Sequence, residues 1–219
     1  MSSLSYAPLL LIRNVTFALI LLAAPLSAAP VTLLALGDSL TAGYGLPPED
    51  GLVPQLEAWL KTHGSEAKII NAGVSGDTTA GGLARTDWAL TPDVQAVMVN
   101  LGGNDMLRGI DPASSRANLD GIISKARAKG LPVLLVSLRA PGNYGAQFKR
   151  DFDAMYGDLA TKYAIPVTEN YFFPLIDQQS HLFDPALMQA DGIHPNAKGV
   201  ARAIEVLGPQ VQALLAQVK

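Results

Sequence analysis

The chain has 219 residues, 49% of them apolar and 16% charged, the composition of a globular protein with room for one sizeable core. A formal net charge of −3, with no lysine or arginine run, provides no electrostatic footprint for nucleic acid. The complete absence of cysteine excludes thiolate catalysis, disulfides and cysteine-ligated zinc.

The chain opens with a segment whose only charged side chain before Asp38 is Arg13. "NVTFALILLAAPLSAAP" (14–30) passes from an apolar core into small residues, the order of a secretory signal peptide, and predicts cleavage after Ala28 or Ala29. Its core, Val15 to Ala24, is short against the ~20 residues that a membrane-spanning helix needs. The expectation is a signal peptide over 1–29, then a single domain over 30–219, with no stable membrane span after removal of the leader and a secreted or periplasmic setting.

The predicted elements then alternate. "VTLLAL" (31–36) reads as a strand, and Val53, Leu56 and Leu60 mark a short helix. "AKIINAG" (67–73) and "VQAVMVNLG" (94–102) read as two more strands. Leu119, Ile122, Ile123 and Ala126 follow helical spacing, started by Asp111-Pro112 and ended by Gly130. "PVLLVSL" (132–138) is a fourth strand, and Phe148, Phe152, Met155, Leu159 and Tyr163 mark one helical face. "IPVTEN" (165–170) is a weaker fifth strand. Val200, Ile204, Leu207, Val211 and Leu214 predict a last helix, started by Pro195 and bent near Gly208-Pro209. Runs apolar on both faces suggest parallel strands covered on both sides. Strand and helix in alternation define a three-layer α/β/α domain.

In such sheets, ligands bind outside the carboxyl ends of the strands. Four polar clusters fall there: Gly37-Asp38-Ser39, "NAGVSGDTT" (71–79), "LGGND" (101–105) and "DGIHPN" (191–196). Ser39 has two readings, a helix cap or a nucleophile, and the second requires a base within hydrogen-bond reach. Asp191 and His194 supply one, since a spacing of three lets a single loop hold the carboxylate against the imidazole. His63 lies at the polar end of a helix, and His181 lacks a carboxylate three positions before it. Gly76 allows a backbone N–H to approach a ligand, and Asn104 brings uncharged donors, as an oxyanion site requires. Asp38, Asp77 and Asp105 read as braces for these loops rather than metal ligands, because their spacing is irregular. No metal and no cofactor is expected.

Around these clusters, "DMLRGI" (105–110), "RAPGNYG" (139–145) and "HLFDPALMQADGIH" (181–194) mix apolar side chains with glycine or proline turns, as a pliable apolar cleft would. Met106, Leu107, Tyr144, Met188 and Ile193 are the candidate acyl contacts. The competing reading is that Met106, Phe183 and Met188 pack the loops onto the core.

"GDSLTAGYG", "NAGVSGDTT", "GGND" and "DGIHP" together resemble the four blocks of the GDSL-type, or SGNH, hydrolases, across essentially the whole mature chain. Within that family, "GDSLTAGYGLPPEDGLVPQLEAWL" and "VSGDTTAGGLARTDWAL" are most similar to bacterial arylesterases and to multifunctional acyl-CoA thioesterase, protease and lysophospholipase enzymes. The resemblance implies Ser39 as nucleophile, His194 as base and Asp191 as its orienter. It also implies an oxyanion hole from the Ser39 and Gly76 N–H groups and the Asn104 side chain, and a flavodoxin-like five-stranded parallel sheet of order 2-1-3-4-5. The expected substrate is a small acyl ester or thioester. A carbohydrate acetyl esterase is the alternative enzyme, and a non-catalytic lipid- or glycan-binding protein the alternative class. The oligomeric state is left open.

Overall fold

All five apolar runs become strands: β1 Val31–Gly37, β2 Ala67–Gly73, β3 Ala96–Asn100, β4 Val133–Ser137 and β5 Val167–Asn170. The computed structural model describes residues 29–218, so the expected leader lies, except for Ala29, outside the described residues. The strands form one parallel sheet in the order β2-β1-β3-β4-β5. The central strands β3 and β4 are buried at every position, as strands covered on both faces must be. At the edge, β2 is partly exposed.

Seven α-helices connect and cover the strands among the described residues: α1 Ser39–Ala42, α2 Leu52–Thr62, α3 Thr79–Ala89, α4 Gly103–Leu107, α5 Pro112–Ala128, α6 Gly145–Tyr163 and α7 Ala197–Leu215. Helix α2 packs on α7, while α3, α5 and α6 pack in succession, the two groups covering the two faces of the sheet. The expected apolar stripe of α5, Leu119, Ile122, Ile123 and Ala126, is fully buried. Its start is set by Asp111, whose side chain accepts from Ala113 N, with Pro112 at the first helical position.

Helix α7 begins differently from the expectation. Asn196 is its cap, because its Oδ1 accepts from both Lys198 N and Gly199 N, and Pro195 stands before the cap. The helix then continues through Pro209. An interior proline costs about 3 kcal/mol. The buried face of Val200, Ile204, Leu207, Val211 and Leu214 stabilises the helix by about 1.5–3 kcal/mol per side chain, which outweighs that cost.

The register does most to place the site. Gly37 at the end of β1 is level with Gly73 of β2 and Asn100 of β3. The chain therefore leaves three neighbouring strands at one level, and the loops that follow must meet. Helix α1 folds straight back over the end of β1, so close that a Cβ at Gly37 would lie 2.0 Å from Thr41 Oγ1. Any side chain larger than hydrogen there would push α1, and Ser39 with it, off the sheet. Among the described residues, no helix is long and apolar enough to cross a membrane.

Candidate active site

Ser39 is the first residue of α1, but it is not the cap. Asp38 is, its Oδ1 accepting from Leu40 N at 3.0 Å. The Ser39 hydroxyl is thereby free of helix duty, and it meets His194 Nε2 at 2.8 Å. His194 Nδ1 lies 2.7 Å from Asp191 Oδ2, completing a chain of three groups.

The proton positions follow from the carboxylate. Asp191 Oδ1 accepts from the Ile193 and His194 backbone N–H groups at 2.9 and 3.0 Å. The His194 backbone N–H, then its ring, then the Ile193 N–H hold the Asp191 pKa down to about 2. Ionised at neutral pH, this carboxylate can only accept, so Nδ1 carries the ring proton. Nε2 then presents its lone pair, and Ser39 donates to it. The Tyr44 ring lies against the imidazole, with centroids 4.8 Å apart.

Behind the serine, Asp38 is only 2% exposed. Burial pushes its pKa up to about 6, opposed by the Leu40 N–H and by charge at His194, and reinforced by Asp105. Asp105 is also buried and braces three elements. Its carboxylate accepts from Thr79 N at 2.8 Å, Thr79 Oγ1 at 2.6 Å and Ser115 Oγ at 2.8 Å. Asp77 pairs with Arg85 Nε at 2.7 Å, and Arg85 Nη2 donates to the Gly37 carbonyl at 2.8 Å. The three aspartates thus act as loop braces. Among the described residues, no cluster of histidine, aspartate or glutamate is placed to hold a metal ion.

Gly76 and Asn104 occupy the loops that leave β2 and β3. Gly76 has φ +86°, a conformation that favours glycine. Asn104 is the second residue of α4, next to the buried Asp105. Arg108 ties the two loops together. Its backbone N–H donates to the Asn104 carbonyl at 3.1 Å, and its Nη2 donates to the Gly76 carbonyl at 3.0 Å. Ser39 N–H, at the first position of a helix, is a donor that the helix itself cannot use. Uncharged backbone and amide donors are the kind of group that a developing oxyanion needs.

The candidate acyl contacts divide. Leu107, Tyr144 and Ile193 are exposed, and Tyr144 Oη donates to the Leu107 carbonyl at 2.9 Å, which brings those two side by side. Met106 is half-buried against the core. Met188 is buried, and its backbone bridges to Pro195. It lines a depression of about 370 Å³ with Phe183, Pro185, Gln189, Ala190 and Gly192, which neither Ser39 nor His194 lines. Three residues were missed by reading the sequence: Arg85, Arg108 and Gln189. Their partners are backbone carbonyls far away in the chain, and no spacing rule points to such a pair.

A hydroxyl, an imidazole and a carboxylate joined in this order are how serine hydrolases are recognised, whatever their fold. The chain belongs to the GDSL-like Lipase/Acylhydrolase family, whose model matches residues 35–202. It is 39% identical over 189 residues to Esterase TesA of Pseudomonas aeruginosa, covering 86% of this chain and 91% of that protein. It is 36% identical over 192 residues to Thioesterase 1/protease 1/lysophospholipase L1 of Escherichia coli, covering 86% and 87%. Among solved structures, AlinE4, an SGNH-hydrolase family esterase, superposes with a TM-score of 0.70 at 42% identity, covering 85% of this chain and 97% of that one. The protein is an ester-cleaving enzyme of this family, with the SGNH-hydrolase fold and small ester substrates.

Proposed function

We propose that the protein hydrolyses carboxylic esters, and thioesters with them, through an acyl-enzyme on Ser39. The observation that carries this reading is the chain from Ser39 Oγ to His194 Nε2 at 2.8 Å and from His194 Nδ1 to Asp191 at 2.7 Å. His194 takes the Ser39 proton as Oγ attacks the acyl carbon, and Asp191 holds the tautomer and stabilises the imidazolium. The carbonyl oxygen becomes an oxyanion that accepts from the Ser39 and Gly76 N–H groups and the Asn104 amide. Collapse expels the alcohol or thiol, which takes its proton from His194. Water then attacks the acyl-enzyme, giving its proton to His194, and Ser39 recovers a proton as the acid leaves.

Of the expected contacts, the exposed Leu107, Tyr144 and Ile193 are the ones along which the acyl chain lies; Met106 and Met188 pack the loops instead. Thioesters and lysophospholipids enter as candidate substrates because the Escherichia coli relative bears both activities in its name. With residues 1–29 removed as a signal peptide, the mature enzyme works in the periplasm or outside the cell.

Ser39→Ala tests the assignment. It should fold normally and lose roughly 10⁴- to 10⁶-fold in the turnover of a p-nitrophenyl ester, as triads do without their nucleophile. A purified variant that keeps a tenth of the activity would sink the mechanism.

A further inference from the structure

The pairing of Asp191 with His194 is local. One carboxylate satisfies two backbone N–H groups and the ring of its own loop; those contacts orient the imidazole within the loop but do not set its distance from Ser39. The partners across the cleft are 155 residues apart in the chain. Something other than the pair must therefore set the distance between the two loops.

The loop is fixed at its base by Asn196. Its Nδ2 donates to the Ala186 and Met188 carbonyls while its Oδ1 caps α7. At the tip the contacts converge on Gln189. Its backbone N–H donates to the His194 carbonyl at 2.8 Å, and its own carbonyl accepts from Gly192 N at 3.0 Å. Its Nε2 donates to the Pro195 carbonyl at 2.9 Å and to the Tyr44 carbonyl at 2.8 Å. Tyr44 N–H in turn donates to the Ser39 carbonyl at 3.1 Å. A single planar amide group thus joins the residue after His194 to a residue hydrogen-bonded to Ser39. Both Nε2 protons are used, one on each side of the cleft.

We propose that Gln189 is a positioning residue, whose side-chain amide docks the preformed Asp191–His194 pair onto the Ser39 turn at the spacing that proton transfer requires. The inference rests on the roles given above to Ser39 and His194. Gly45 supplies the slot: with φ +74°, a Cβ there would lie 2.3 Å from Gln189 Oε1. The chemistry asks for this precision, because a misplacement of about 1 Å at a reacting centre costs on the order of 10² in rate.

The test compares Gln189→Met, which keeps the length and removes both donors, with Gln189→Glu, which sets carboxylate oxygens against two carbonyls. Gly45→Ala crowds the Gln189 amide from the other side, by a substitution outside the histidine loop. For a short p-nitrophenyl ester, each variant should lose about 10- to 100-fold in kcat. KM should stay within about twofold, since Gln189 touches no substrate in this reading. Phosphorylation of Ser39 by diethyl p-nitrophenyl phosphate should slow in parallel. The downfield proton resonance of His194 Nδ1–H should persist, because the local pair is intact.

Folded variants with wild-type kcat would overturn the inference, as would a change confined to KM. Loss of the Nδ1–H resonance together with activity would overturn it too, by making Gln189 a builder of the loop rather than its dock. Ser39→Ala run in parallel separates the two readings. If it stays active, the site assignment fails and this inference with it; if it is inactive while the Gln189 variants are not, only this inference fails.

Discussion

Asp38 shows one residue under two opposed demands. It caps the helix that presents Ser39, and it does so while almost completely buried. Its folded pKa of about 6 lies above the ordinary 3.8, so folding takes up a proton between those values. The sign follows: with respect to this group, stability is greatest below pH 3.8 and falls as pH rises through about 6. The shift corresponds to about 3 kcal/mol. Asparagine caps helices as well as aspartate does and carries no charge to desolvate. Asp38→Asn should therefore gain in urea-unfolding stability over the wild type between pH 4 and pH 7.5, and a gap that stays flat with pH would contradict this account. Asp191 has the opposite sign. Its pKa near 2 keeps it ionised at any ordinary working pH; the stability it contributes is full well above the ordinary 3.8 and is lost as pH falls from there through about 2. In its proposed role as an oxyanion donor, Asn104 should matter to the transition state alone. Asn104→Ala is expected to lower kcat by roughly 10² to 10³ with KM little changed. An effect on KM alone would make it a substrate-positioning group.

The loops gain their order from elements that are individually short. Helix α4 has five residues and α1 has four, too few to persist on their own. They are held by polar bolts between elements: Asp105 on Thr79 and Ser115, Arg85 on Gly37, and Arg108 on Gly76. Arg108→Ala should lower kcat about 3- to 10-fold, a modest loss because the bond is solvent-exposed and a typical hydrogen bond contributes only about 1 kcal/mol net. Steady-state kinetics alongside thermal melting checks it, and unchanged kcat would reject the tie between the two loops. The same bolts explain what could be read from the sequence. Strands β1 to β5 and helices α2, α5, α6 and α7 announce themselves by apolar spacing, which depends only on near neighbours. Helix α3 does not. "TAGGLARTDWA" carries two glycines and little apolar pattern, and its start is fixed by Thr78 and by a carboxylate 26 residues away. The contact between Ser39, Asp191 and His194 was legible because a strand end and a spacing of three are local signals. Gln189 was not, since its value lies in one carbonyl 145 residues distant.

The molecule as a whole determines how much of a substrate it can cover. Leu107, Tyr144 and Ile193 are exposed, so the proposed acyl contacts would offer an open surface rather than a tunnel. Each methylene fully buried is worth up to ~0.8 kcal/mol, about fourfold in affinity, and an open surface realises part of that. Values of kcat/KM should therefore climb from acetyl to medium-chain p-nitrophenyl esters, by less than about fourfold per methylene. A preference for acetyl, declining steadily with length and accompanied by turnover of acetylated sugars, would point to a carbohydrate acetyl esterase. The separation of Ser39 from His194 by 155 residues has one more consequence, in biosynthesis. The ribosome makes the serine long before the histidine, at about 5–20 residues per second, so roughly 8–30 s pass between them. With Ser39 and His194 in the roles proposed above, the nascent chain would hold a nucleophile with no base throughout that interval. The growing polypeptide would then be inert toward esters until the histidine loop, just before the last helix, is made.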